Sequence, residues 1–189
     1  MTDPITAELA LAEAEAAQRR TRATVRALAL PLVMLGVANL AGVPVVLAVG
    51  RDHLLAFFGP AYVVIVTLSA RHFRRVGRAS GTWLPVRPWV AVLVPTAIAG
   101  ATLSRLGFVL DLPLLAFAGP AVVFALATAV IARWLRSTTL GVASLLMLVA
   151  TAGIAVATSG DAAVAIDLAV YGVLLVYASK GTPREPSDP

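Results

Sequence analysis

The sequence predicts an all-α integral membrane protein, a polytopic bundle of six transmembrane helices, and three observations carry that prediction. Hydrophobic residues make up 59% of the 189 positions, charged residues only 13%, and mean hydropathy is +0.89. That leaves too little polar side chain to cover a soluble globule of this length. Uncharged runs occupy 27–50, 53–70, 88–104, 112–132 and 137–160, and a sixth, 162–179, is broken only by Asp167. Finally, 13 of the 15 Lys and Arg fall in alternate gaps between these runs.

The lengths suit a bilayer. A hydrocarbon core about 30 Å thick takes about 20 helical residues at about 1.5 Å each, so runs two and three are short and the others comfortable. The first run exceeds a secretory h-region of about 7–15 residues and comes after a charged segment, so it is read as retained.

The chain divides into a charged N-terminal helix (1–26), a six-helix membrane domain (27–179) and a disordered tail (180–189) rich in proline and charge. In the leading segment, Asp3 can cap a helix that has Pro4 at its first position, and Glu15 and Arg19 lie one turn apart. Its apolar residues are mostly Ala, so binding to a membrane surface would be weak; a cytoplasmic partner is an alternative use.

Orientation is set by the bases. Arg19, Arg20, Arg22 and Arg26 precede the first run, Arg71, Arg74, Arg75, Arg78 and Arg87 lie between the second and third, Arg133 and Arg136 between the fourth and fifth, and Lys180 and Arg184 after the sixth. Only Arg51 and Arg105 lie on the opposite side, which places both termini in the cytoplasm of a bacterial cell (inner) membrane. Trp83, Trp89 and Trp134 map to the same boundary, where an amphipathic indole is favoured. The high pI of about 10.7 is therefore assigned to lipid headgroups rather than nucleic acid.

Residues 54–63 recur as 114–123, identical at 8 of 10 positions around a shared Gly-Pro, which suggests repeated helical hairpins: runs one and two matching three and four, with five and six a more divergent copy. Pro60 and Pro120 cannot donate to the carbonyls of Ala56 and Ala116, so Gly59, Pro60, Gly119 and Pro120 are candidates for a hinge or a cavity wall. The pairs Ala38/Gly42, Ala97/Ala101 and Gly153/Ala157 each put small residues on one helix face, suited to close packing.

Polar groups at membrane depth are the candidates for a site. They are Asn39, Thr96, Thr102, Thr128, Ser144, Thr151, Asp167 and Tyr171, of which only Asp167 is expected to carry charge at pH 7. Tyr171 lies four residues beyond Asp167 and shares its helix face. Asp52, Asp111 and Asp161 each precede a run and are read as caps of helix N-termini. His53 and His72 fall on opposite faces, so no metal triad is expected, and with no cysteine, thiolate and Cys-metal chemistry is excluded. No nucleotide loop, nucleophile elbow or other cofactor motif is present, and no cofactor is expected.

Three functions remain open. The first is a non-enzymatic accessory or regulatory membrane protein that engages a cytoplasmic partner through 3–26 or 71–87. The second is a transport component: the six-helix outline resembles the substrate-binding S component of energy-coupling-factor transporters, with Ala38 and Gly42 as a possible contact for its permease. The third is an enzyme using Asp167 as general acid on a lipophilic substrate among Phe57, Phe58, Phe117 and Tyr171, which would look like the small membrane-embedded terpene cyclases. The basic N-terminal segment, Leu30-Pro31, the Gly-Pro helix before the 71–78 arginine cluster and the Arg-for-Lys bias are similar to those of uncharacterised multi-spanning proteins of high-GC actinobacteria. That resemblance implies no activity and favours the accessory reading.

Overall fold

Apolar stretches in a solvent that offers no hydrogen bonds must satisfy their backbone internally, and helices do so within one segment. In the computed structural model, which describes residues 4–79, 87–158 and 160–180, with side chains for 8–15, 27–79, 90–112, 114–158 and 160–180, every long element is a helix. They are α1 (Pro4–Val49), α2 (Leu54–Ala79), α3 (Arg87–Val109), α4 (Pro113–Leu135), α5 (Thr138–Ala157) and α6 (Gly160–Lys180), with a short 3-10 turn at Arg51–His53. All six are long and apolar enough to cross a membrane, which makes the chain a multi-pass helical membrane protein.

Two boundaries differ from the sequence expectation. The charged leader and the first span are one uninterrupted 46-residue helix, so nothing in the backbone separates the leader from the span. The second run does not end at Ala70: α2 continues to Ala79, so Arg71, Arg74, Arg75 and Arg78 stand on a helix rather than in a loop. Long arginine stems can lie along apolar surface while their heads reach water, so charges need not stop a helix. Asp3, Trp83 and the tail 181–189 lie outside the described residues, as do the side chains of Arg19 and Trp89; Trp134 is half-exposed near the end of α4.

The α1–α2 and α3–α4 turns, with the end of α5 and the start of α6, lie at one end of the bundle, the odd-turn end; the end of α2, the start of α3 and the α4–α5 turn lie at the other, the arginine-rich end. Around the bundle the helices run in the order α2, α1, α6, α5, α4, α3, with α1 packed most extensively on α6 and α3 on α4. Glycine makes both contacts possible. A Cβ on Gly36 would lie 2.7 Å from Val176 Cγ2 and 2.8 Å from the Gly172 carbonyl oxygen, while one on Gly172 would lie 2.6 Å from Leu40 Cγ. On α3, a Cβ on Gly107 would collide with the backbone of Ala116 on α4. Such small-residue contacts let helix backbones approach where the hydrophobic effect gives no drive for association.

Of the small pairs expected to pack, Gly42 does, with Phe58 and Leu168 at 3.0 and 3.1 Å from its virtual Cβ. Gly153 and Ala157 do not: both are exposed on α5, and nothing in the chain approaches Gly153. The larger apolar core gathers toward the arginine-rich end, with Leu28, Phe73, Leu93, Ile131, Leu140 and Leu175 among its members. Toward the odd-turn end, Val46, Val164 and Ala165 form a much smaller buried cluster. Ser69, fully buried on α2, has no hydrogen-bond partner for its hydroxyl among the described residues.

Candidate functional site

The uneven core leaves room elsewhere. A cavity of about 460 Å³ occupies the bundle on its odd-turn side, and its walls come from α1, α2, α3, α4, α6 and the 3-10 turn. It lies between α2 and α3, the two ends of the helix series, whose backbones approach each other little among the described residues. Its lining is largely apolar and aromatic, including Phe58, Tyr62, Phe108, Phe117 and Phe124. A volume of this size matches pockets that take small organic molecules, whose walls are mostly hydrophobic with a few placed polar groups.

Those polar groups include the residues singled out in the sequence. Asp167 and Tyr171, one turn apart on α6, both line the cavity and are 6% and 3% exposed. They do not meet directly. Thr151 on α5 stands between them, its Oγ1 2.9 Å from Asp167 Oδ1 and 2.9 Å from Tyr171 Oη. The Tyr171 hydroxyl in turn donates to the Ala121 carbonyl on α4 at 2.9 Å. The chain of contacts therefore joins α4, α5 and α6 behind the cavity wall, and the Phe124 ring lies 5.9 Å from that of Tyr171. Reading Asp167 and Tyr171 as neighbours was correct in face and incomplete in contact. Thr151, one of the polar groups named from the sequence, belongs to another helix, and sequence spacing carries no signal of its contact with either.

Asn39 on α1 also lines the cavity; its Nδ2 donates to the Leu35 carbonyl at 2.8 Å, which leaves its amide oxygen without a protein partner among the described residues. Thr96 Oγ1 similarly donates to the Val92 carbonyl at 2.6 Å on its own helix. Tyr62, which the sequence reading did not select, lines the cavity with no hydrogen bond to its hydroxyl among the described residues.

The two Gly-Pro copies serve different surroundings, and both prolines lie inside continuous helices. On α4, Gly119 packs on Leu103, whose Cβ lies 3.1 Å from a Cβ built on the glycine, and Pro120 packs on Gly100 while also lining the cavity. On α2, Gly59 lines the cavity, a Cβ there would meet nothing within 4 Å, and Pro60 is exposed. The repeat is thus a packing seam in one copy and an open wall in the other.

At the cavity mouth, the Arg51 guanidinium lies 5.6 Å from the Phe108 ring centre, and its Nε is 4.0 Å from Asp161 Oδ1, which also accepts the Arg51 backbone N–H at 3.4 Å. Asp161 is therefore tied to the α1–α2 turn instead of capping its own helix. Nor does Asp111 cap α4: it sits in a left-handed turn at φ 52°, the N-cap is Leu112, and Pro113 at the first position removes an N–H that a cap would serve. Asp52 lies inside the 3-10 turn, whose N-cap is Gly50. Among the described residues, a side-chain cap forms on α5, where Ser137 accepts from the Leu140 N–H at 3.3 Å.

His53 and His72 sit 19 residues apart at opposite ends of the second span, about 28 Å along a helix, and among the described residues no group of three His, Cys, Asp or Glu gathers to hold a metal. No known protein family, curated protein or solved structure matches the chain.

Proposed function

We propose that this is a non-enzymatic accessory membrane protein that binds a small, mostly apolar molecule within the bilayer. The cavity carries the reading: five of the six helices line it, the large core lies toward its arginine-rich side, and a few polar groups, among them Asn39, Tyr62, Asp167 and Tyr171, stand in an otherwise apolar wall. An enzyme would need a second group placed against Asp167. Among the described residues, the only other charged side chains lining the cavity are Arg51 and Asp52 at the mouth, so no acid–base pair supports that reading. A transport component would use the same cavity, as in the proteins the outline resembles.

The positive-inside rule supports a plasma-membrane orientation with the arginine-rich end and both termini in the cytoplasm, and hence a cavity mouth on the outer side. A cytoplasmic partner is supported by α1 itself. Its first 23 residues extend the helix before the first span, by about 35 Å, and residues 8–15 are exposed, with Leu9 and Leu11 among them. Because α1 is continuous, the helix that carries Asn39 on the cavity wall also carries this extension.

Purification in native lipid discs with mass spectrometry of the bound species tests both parts. The wild-type chain is expected to retain a lipophile that Gly59→Phe, which fills the cavity, loses while remaining folded; a chain lacking residues 1–24 is expected to keep the lipophile and lose a co-purifying protein. Equal retention by Gly59→Phe would refute the binding reading.

A further inference from the structure

The contacts around Asp167 contain their own count of hydrogens. Three oxygen–oxygen contacts of 2.9 Å run in series from Asp167 Oδ1 to Thr151 Oγ1, to Tyr171 Oη and to the Ala121 carbonyl. Each needs one hydrogen between its oxygens, and the two hydroxyls supply only two. With an ionised carboxylate, one contact must bring lone pairs together at 2.9 Å. If Thr151 donates to Asp167 and Tyr171 to Ala121, the Thr151–Tyr171 contact has none; if Tyr171 donates to Thr151 instead, its hydroxyl oxygen faces the Ala121 carbonyl with none; if Thr151 donates to Tyr171, the carboxylate faces an oxygen with no hydrogen. A proton on Asp167 Oδ1 resolves all three: Asp167 donates to Thr151, Thr151 to Tyr171, and Tyr171 to the carbonyl, which needs none.

The charges nearby agree. Among the described residues, no Lys, Arg or His other than Arg51 lines the cavity, and Arg51 at the mouth is turned to Asp161 and Phe108. A charge at membrane depth without a counter-ion is costly. The second carboxyl oxygen, Oδ2, has no protein partner among the described residues. It is not sealed from the cavity that Asp167 lines, since Ser69 Oγ is the buried atom left without a partner among those residues. With the proton on Oδ1, this free oxygen is a carbonyl acceptor.

We infer that Asp167 stands as a neutral carboxylic acid whose free oxygen accepts a hydrogen bond in the cavity, so that the site selects uncharged lipophiles bearing a hydroxyl or N–H donor over ammonium cations of the same size. The inference rests on the ligand-binding reading and names the class of ligand. Asn39 and Tyr62 add neutral hydrogen-bonding groups to the same cavity and no charge.

The chain has no cysteine, so Gly59→Cys gives a single thiol on the cavity wall whose maleimide labelling reports occupancy. In lipid discs at equal membrane loading, dodecanol is expected to slow labelling more than dodecylammonium or dodecane, by about tenfold, the worth of one good hydrogen bond. Adding Asp167→Asn should leave dodecanol protection within about threefold, because the amide donates to Thr151 and still presents an oxygen to the cavity. Stronger protection by dodecylammonium, or its loss on Asp167→Asn while dodecanol protection is unchanged, would overturn the inference. Infrared spectra give a readout independent of binding: the wild-type protein should show a protonated-carboxyl C=O band that Asp167→Asn removes. Absence of that band contradicts a neutral Asp167 even where every probe binds, whereas failure of all probes to protect, with the band present, overturns the ligand-binding reading and the selectivity built on it.

Discussion

At the residue scale, Thr151 organises the site more than the ionisable group that draws attention to it. Its hydroxyl touches both Asp167 and Tyr171 and is 2% exposed, so Thr151→Val would replace it by a methyl of nearly the same size and leave two buried polar groups short of a partner. Each such group costs about 1–3 kcal/mol. Unfolding in mixed micelles should show Thr151→Val less stable by at least about 1 kcal/mol, and Thr151→Ser close to wild type; equal stability of all three would mean that the contacts are not hydrogen bonds. Asp167 and Tyr171 were legible in the sequence because position and residue type sufficed: one carboxyl in an apolar run and one phenol a turn later. Thr151 was legible only as one of several polar groups at membrane depth, since threonines on membrane helices commonly bond to their own backbone, as Thr96 and Thr128 do here. Only the crossing of α5 and α6 distinguishes it.

At the element scale, glycines on neighbouring helices have opposite roles according to what faces them. Gly107 meets the Ala116 backbone, which cannot move aside as a flexible side chain can, whereas Gly59 faces open cavity. Gly107→Ala should therefore separate α3 from α4 and lower thermal stability, while Gly59→Ala should leave it unchanged or raise it slightly; scanning both variants in detergent checks this, and tolerance of Gly107→Ala would contradict the close contact. The six spans were legible from hydropathy and spacing alone. Their ends were less so, because charge marks a change of solvent and not the end of a helix: α2 runs through four arginines. The Asp caps failed for local reasons: Pro113 removes an N–H that Asp111 would have served, and the Asp161 carboxylate accepts from the Arg51 turn instead. The Gly36–Gly172 contact could not be read either, because only the crossing of α1 and α6 selects these two among 14 glycines.

At the scale of the whole molecule, the bundle has two unlike halves. Large side chains fill the arginine-rich half, and the odd-turn half holds a cavity between α2 and α3, whose backbones approach each other little among the described residues. Composition predicted a membrane bundle and periodic charge predicted its orientation, but a void is a statement about absent contacts and has no sequence signature. The most direct test of a cavity that opens at the odd-turn end is the accessibility of single cysteines, introduced one at a time into intact cells and probed with a membrane-impermeant maleimide. Gly59→Cys is expected to react from outside, and Arg78→Cys only after the membrane is permeabilised. Reaction of Gly59→Cys only from the side that exposes Arg78→Cys would contradict the account.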